Sequence, residues 1–458
     1  MVRLDLQRFS GADVVPVIEG GKGISISVGE TCGAWAAAGG VGTFSAVNAD
    51  SYDRNCSIIP QVYHGESRLQ RRQELIKYAV AGGITQAKIA RERSNGKGRI
   101  HMNVMWEMGA CEEILTRILE EASECIHGIV CGAGMPYGLG EIASKFGVYY
   151  YPIVSSARAF SALFRRSFRK NLDFLGGVIY EDPWLAGGHN GLSNAENPLE
   201  PVNHYLRLVD LRKTMNSFEL QNLPIIIAGG VWWLSEWEDY IDNKELGITA
   251  FQFGTRSILT TECPVAKAWQ PKLMSLKRGD IKLTQLSPTG FYSSAINNEM
   301  LQNLLTLQER EVKIVDDSPY FVTVHGQKIC VDASQSEKIT SFIENGFSVA
   351  MLTPSNTVVF VTPEQSRQIM MDQKNCCCCL SACRFSSWCQ HKGSTGKIPD
   401  PRSFCIQKTL QASAHGSDLE KNLVFVGHTA YRFGEDPFYE NNFIPTTQQL
   451  MDRILSGY

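Results

Sequence analysis

Up to Arg256, short apolar runs alternate with longer amphipathic stretches. The runs fall near Val14–Ile18, Gly42–Phe44, Ile100–Met105, Gly128–Cys131, Tyr149–Val154, Gly177–Tyr180, Ile225–Ala228 and Ala250–Phe253. Several are apolar at every position, as strands buried on both faces are. Between them, Gly29–Ala38 is small and alanine-rich, and Arg68–Ala81 and Gln86–Glu92 are amphipathic. Ala110–Ser123 sets Ile114, Ile118 and Ala122 at helical spacing, and Ala157–Lys170, Pro201–Thr214 and Leu234–Asp242 continue the series. Eight strand–helix units predict an α/β fold, a (β/α)₈ TIM barrel. The competing layout, a doubly wound open sheet, carries a strand–Gly-x-Gly-x-x-Gly–helix fingerprint near its start, and none occurs here.

Beyond Thr261 the pattern changes. Glu262–Leu276 reads as a helix, Tyr320–Val324 and Lys328–Val331 as a hairpin, Ser336–Asn345 as a helix, Ser348–Leu352 and Val358–Val361 as strands, and Pro363–Lys374 as a helix. That is a small α+β accessory region. A cysteine-rich loop follows, then Leu423–His428 as a strand and Thr447–Leu455 as a closing helix. The expected division is a barrel over residues 1–262, an accessory region over 263–375, and a cysteine-rich segment over 376–458 that returns to the barrel.

Composition narrows the function class. With 43% hydrophobic and 20% charged residues, the chain can bury one large core and a smaller one. A net charge of −3 supplies no basic field for nucleic acid or an anionic membrane. The first ten residues carry charges throughout and do not read as a signal peptide, and no apolar stretch reaches the length of a membrane span. Fourteen cysteines without an export signal point to thiols in a reducing cytoplasm.

The candidate chemistry sits where strands end in glycine. Ala186-Gly187-Gly188-His189 follows the sixth run, Ala228-Gly229-Gly230 the seventh, and Gly254-Thr255-Arg256 the eighth. Glycine pairs let backbone N–H groups approach a bulky anion, and the last two strand ends of such a barrel are its usual phosphate site. The Thr255 hydroxyl would donate to the same phosphate, and Arg256 could add charge. His189 at that rim is the natural base near neutral pH, or a substrate ligand. Asn103 on the third strand needs partners for its amide, from the barrel or from a cofactor. Gly134-Met135-Pro136, Ser155-Ser156 and the Trp184, Trp232 and Trp233 rings lie at the ends of other runs and are candidate cofactor or substrate borders.

These segments resemble the nitronate monooxygenase family, formerly called 2-nitropropane dioxygenases, together with its flavin-dependent enoyl-ACP reductase relatives. Trp35-Ala-Ala-Ala-Gly-Gly-Val-Gly-Thr43 is similar to the family's early glycine turn, and Asn103 to its third-strand asparagine. Ala186-Gly-Gly-His189 matches its AGGH. Ala228-Gly-Gly-Val231 with Phe253-Gly-Thr-Arg256 matches its phosphate pair. The first strand departs from the family, which has an Ala-Pro-Met-like segment where this chain reads Pro16-Val-Ile-Glu-Gly-Gly-Lys-Gly23. The resemblance implies FMN as cofactor, touching Asn103, Gly187, Gly188, Ala228, Gly229, Gly230, Gly254 and Thr255, with His189 as the catalytic residue. It implies an oxidoreductase acting on a small-molecule substrate, a carbon acid or nitronate, with O2. An NAD(P)H-dependent reductase of enoyl-thioester type and a non-catalytic flavin or redox sensor are the alternatives. Nicotinamide use and oligomeric state are not set by the sequence.

Seven of the fourteen cysteines lie between Cys376 and Cys405. Such clustering in a reducing compartment suggests metal thiolates, and Cys379, Cys383, Cys389 and Cys405 make a four-ligand set for an iron–sulfur cluster or zinc. The spacing is neither a ferredoxin run nor paired Cys-x-x-Cys knuckles, so an inert loop is the third option.

Overall fold

A computed structural model describes residues 4–458, so the first three residues of the charged N-terminal stretch lie outside the described residues. Eight parallel strands close into a barrel. They are β1 Val17–Glu19, β2 Val41–Ser45, β3 Arg99–Met105, β4 Gly128–Gly132, β5 Tyr149–Val154, β6 Val178–Glu181, β7 Ile225–Ala228 and β8 Thr249–Phe253. Each lies within a residue or three of its apolar run. The barrel closes where Phe251 pairs with Val17 and Phe253 with Glu19.

An antiparallel hairpin, Gln7–Phe9 with Ala12–Val14, closes the N-terminal mouth. Fully buried Phe9 stacks on Tyr151 at 6.3 Å. Within the barrel, His101 stacks on Tyr151 at 4.6 Å and bonds the Ser10 hydroxyl at 2.9 Å. With that end filled, ligands enter from the C-terminal rim.

The two helices read at Arg68–Ala81 and Gln86–Glu92 are one, Arg68–Arg93. Gly82 and Gly83 lie between the two stretches, and glycine weakens a helix interior by about 1 kcal/mol. Packing demands them instead. A Cβ on Gly82 would run into the Ala49 carbonyl, and one on Gly83 into the Ile118 side chain. The capping box of Ser67 and Gln70 fixes the start of this helix.

The accessory region contains the hairpin Phe321–Val324/Gln327–Cys330, the helices Ser336–Glu344 and Pro363–Lys374, and the strands Val349–Leu352 and Thr357–Val361. Leu423–His428 is not a ladder strand. It makes a single bridge, Phe425 to Ala295, and its later N–H groups turn to the barrel rim. Gly427 N–H donates to Thr255 Oγ1 at 2.8 Å and His428 N–H to the Leu185 carbonyl at 3.0 Å. A short strand, Ser293–Ile296, pairs with Gly188 and His189 themselves, and the sequence pattern gave no sign of it. The segments after the barrel therefore fold back over its rim.

Candidate active site

One cavity opens at the C-terminal ends of the barrel strands. It is lined by Asn103, Gly187, Gly188, His189, Ala228, Gly229, Gly230, Gly254 and Thr255, so His189 and the residues expected to touch the cofactor face one space. Closing that space from above are Leu380, Ile406, Leu410, Phe425 and Val426 from the C-terminal region.

The β7 and β8 ends form an anion cradle. Gly229 and Gly230 hold φ of +86° and +82°, in the left-handed region that favours glycine. Among the described residues, the N–H groups of Gly229, Gly230, Gly254 and Thr255 meet no backbone or side-chain acceptor. Clustered unpaired N–H groups beside a cavity are an anion site in waiting. A Cβ on Gly254 would enter open space, with nothing within 4 Å, so the cavity begins directly at that backbone. Gly229 and Gly230 differ: their Cβ atoms would strike Asp182 at 3.0 Å and Leu185 at 2.7 Å. Those two glycines serve the turn, whereas Gly254 leaves room. Thr255 Oγ1 accepts from Gly427, which leaves its own proton for a ligand.

Arg256 is not part of the cradle. It is fully buried, turned away, and paired with Asp436 at 3.1 Å. Both Trp232 and Trp233 donate their indole N–H to the same carboxylate, at 3.1 and 3.2 Å. A buried guanidinium needs a carboxylate partner, and Asp436 supplies it only in the folded state. The tryptophans are therefore packing residues. Trp184 is likewise buried, with the Arg207 guanidinium 4.9 Å above its ring. Gly134-Met135-Pro136 and Ser155-Ser156 fall outside the lining, which takes Gly132 at the end of β4, Ala133 just after it and Ile153 from β5. Ser155 spends its hydroxyl on the Gly191 carbonyl at 2.6 Å.

His189 sits in the short strand paired to Ser293. Its Nε2 lies 2.6 Å from Ser287 Oγ, which lies 2.9 Å from Thr289 Oγ1. The Phe291 N–H donates to Thr289 Oγ1, and the Thr289 N–H points at Ser287 Oγ. Ser287 Oγ thus links the imidazole to a short chain of polar groups. Burial pushes the His189 pKa down to about 4, so the ring is neutral at pH 7.

Several lining groups carry no motif. Glu181 ends β6, and burial, with Asp182 adding to it, pushes its pKa up to about 8. It is then a neutral acid able to donate at pH 7. A glutamate closing an otherwise apolar run was the available signal. Gln252, 7% exposed on β8, leaves its Nε2 with no partner. Gln407 comes from a helix far along the chain, and its carbonyl accepts from Asn48 Nδ2. No local signal points to it.

The altered first strand has a physical role. Lys22 Nζ bonds Glu19 Oε1 at 3.1 Å, the Gly20 carbonyl at 2.8 Å and Ser257 Oγ at 2.9 Å. This strut pins Gly20-Gly21 against Asn103, where a Cβ on Gly21 would overlap the asparagine. Desolvation raises the Glu19 pKa, with Lys22 opposing.

The four expected metal ligands are not assembled. Among the described residues no group of three or more His, Cys, Asp or Glu side chains could hold a metal ion. Cys379 faces the cavity, while Cys383 and Cys389 lie on separate strands of a two-residue hairpin, where Cys383 pairs with Trp388 and Cys389 with Ala382. Cys405 precedes the helix Ile406–Ala414. The shared loop did not converge because its residues are spent on packing: Cys378, Cys383, Leu380 and Trp388 are buried in the main core.

The nitronate monooxygenase family model matches residues 10–337. Among solved structures, FabK from Thermotoga maritima overlaps with a TM-score of 0.54 at 15% identity, covering 96% of this chain and 92% of its own. The enoyl reductase domain of MlnA, from the macrolactin biosynthesis cluster of Bacillus amyloliquefaciens, overlaps with a TM-score of 0.53 at 10% identity, over 97% of this chain and 93% of its own. At these identities the two overlaps show a shared fold. No curated protein is significantly similar in sequence.

Proposed function

The chain belongs to the nitronate monooxygenase family and is a flavin-dependent oxidoreductase; from that premise we propose that its rim cavity binds FMN and that it oxidises a small carbon acid or nitronate with O2. The unpaired N–H groups at Gly229, Gly230, Gly254 and Thr255 carry this reading, because they suit a phosphate dianion. The cavity behind Gly254 leaves space for that group, and Asn103 and the unpartnered amide of Gln252 supply polar contacts deeper in. When bound, FMN supplies the redox chemistry, taking electrons from the substrate and passing them to O2.

The protein's own residues bind and orient. His189, neutral at pH 7 and held by Ser287, positions the substrate through a hydrogen bond from its imidazole. A ring of such low basicity is poorly matched to abstracting a carbon-bound proton at neutral pH, where a base near 7 serves best. A preformed nitronate needs no such step. Leu380, Ile406, Leu410 and Phe425 exclude water and favour a short apolar substituent. The C-terminal segment thereby acts as a built-in cover of the barrel.

The test is direct. Purified protein should show flavin absorption and consume O2 with an alkyl nitronate. His189→Ala should retain the flavin and lose about 10²-fold in turnover, the usual scale for one positioned group. Rapid anaerobic bleaching by NADH or NADPH, with no nitronate turnover, would replace this reading with the enoyl-thioester reductase one.

A further inference from the structure

The cysteine run remains unexplained by the flavin chemistry. It begins under the helix Arg68–Arg93, whose first turn clamps it: Arg71 Nε donates to the Cys376 carbonyl at 3.0 Å and its NH2 to Lys374 at 2.8 Å. Cys376 and Cys378 bracket a tight turn in which Cys378 adopts φ +62°. That turn folds the Cys378 N–H back onto Cys376 Sγ at 3.4 Å. Ser386 Oγ approaches the same sulfur at 3.3 Å. The Cys376 sulfur therefore lies against the Cys378 backbone, and Cys378 Sγ meets the Arg68 carbonyl at 3.6 Å. Cys378 is 1% exposed, whereas Cys376 keeps part of its surface open.

We propose that Cys376 is a peroxide-reactive thiolate and that Cys378 is its resolving partner, forming an intraloop disulfide. The surroundings are those of a stabilised sulfur anion: a backbone N–H, a hydroxyl and the cationic first turn of a helix. The bond to Cys378, with Ser386 and Arg68 assisting against burial, pulls the Cys376 pKa down to about 6.

The oxidant is hydrogen peroxide. Cys376 sulfur attacks one peroxide oxygen; an S–O bond forms, the O–O bond breaks, and hydroxide leaves and is protonated to water. The sulfur has lost two electrons and the peroxide has gained them. The Cys378 sulfur then attacks the Cys376 sulfenic acid; the S–S bond forms, the S–O bond breaks, and the Cys378 proton departs with the hydroxide as water.

Peptide mass spectrometry of the pre-reduced holoprotein, treated with equimolar hydrogen peroxide and then alkylated while native, tests this. The segment containing Cys376 and Cys378 should lose two hydrogens and map as a bond between them, restored by dithiothreitol. In Cys378→Ser, a 1,3-dione probe should instead trap a sulfenic acid on Cys376. Oxidation that lands first on Cys56 or Cys330, a bond joining Cys376 to any other cysteine, or no reaction at Cys376 in the wild-type protein would each overturn the proposal. The wild-type map stands whether or not the variants fold.

Discussion

At the scale of single residues, two cavity groups have shifted acidity with opposite sign. His189 has a folded pKa of about 4 against an ordinary 6.5, so it stays unprotonated through the neutral range. The pH profile of kcat/KM for a nitronate should therefore show no His189 inflection near 6.5; an ascending limb there that vanishes in His189→Ala would return the ring to a basic role. Ser287→Ala removes the hydroxyl that holds the His189 ring and should lower turnover with flavin still bound, measurable by the same assay. Glu181 shifts the other way, to about 8 from 4.5. Between those values the folded protein holds a proton that the unfolded chain has released. Its contribution makes stability fall as pH rises through that window, and the loss is complete above about pH 8. Glu181→Gln cannot ionise, so its melting temperature relative to wild type should climb from pH 5 to pH 8. Parallel melting curves for the two proteins would refute the shift.

At the scale of elements, the strand ends divide by what their glycines do. Gly254 borders open space, so Gly254→Val should leave a folded barrel that has lost its flavin, because the branched side chain fills the phosphate space. Gly230→Leu should also lose flavin, but with a lower melting temperature, since its Cβ meets Leu185 and its φ of +82° is unfavourable for leucine. Absorbance at the flavin band together with thermal melts separates the two; an unaltered yellow Gly254→Val protein would remove the phosphate from that site. Glycines inside Arg68–Arg93 teach the converse lesson. Locally they argue for a break, and the close approach of Ala49 and Ile118 overrules it.

At the scale of the whole molecule, the C-terminal region is bound to the barrel through a buried charge pair. Arg256 and Asp436 lie 180 positions apart, and both side chains are wholly inaccessible. Asp436→Ala strips the guanidinium of its partner and should cost about 3–5 kcal/mol, the scale for an uncompensated buried charge. Urea unfolding would measure it, and a change below about 1 kcal/mol would mean that water reaches Arg256 in the variant. The same variant should loosen Gly427 from Thr255 and weaken flavin retention, because that cover completes the cradle.

What the sequence determined by itself was whatever depends on local periodicity and backbone freedom. Eight apolar runs became β1–β8 because a strand buried on both faces has no other composition open to it. The glycine-tipped ends and His189 were legible because Ala-Gly-Gly junctions after such runs have few uses. The tertiary structure alone decided how distant segments meet. Arg256, beside the cradle in sequence, points away because Asp436 waits on the other side. Leu423–His428 looked like a strand but gives its N–H groups to the rim. The cysteines looked like a metal set, yet their spacing gave no bond directions, and the fold packs the segment into the core without gathering the set. Gln407 and Leu410 reach the cavity from beyond the accessory region, a contact that no periodicity encodes. Periodicity fixes which face of an element is apolar, whereas the partner that covers that face is chosen only when the whole chain closes.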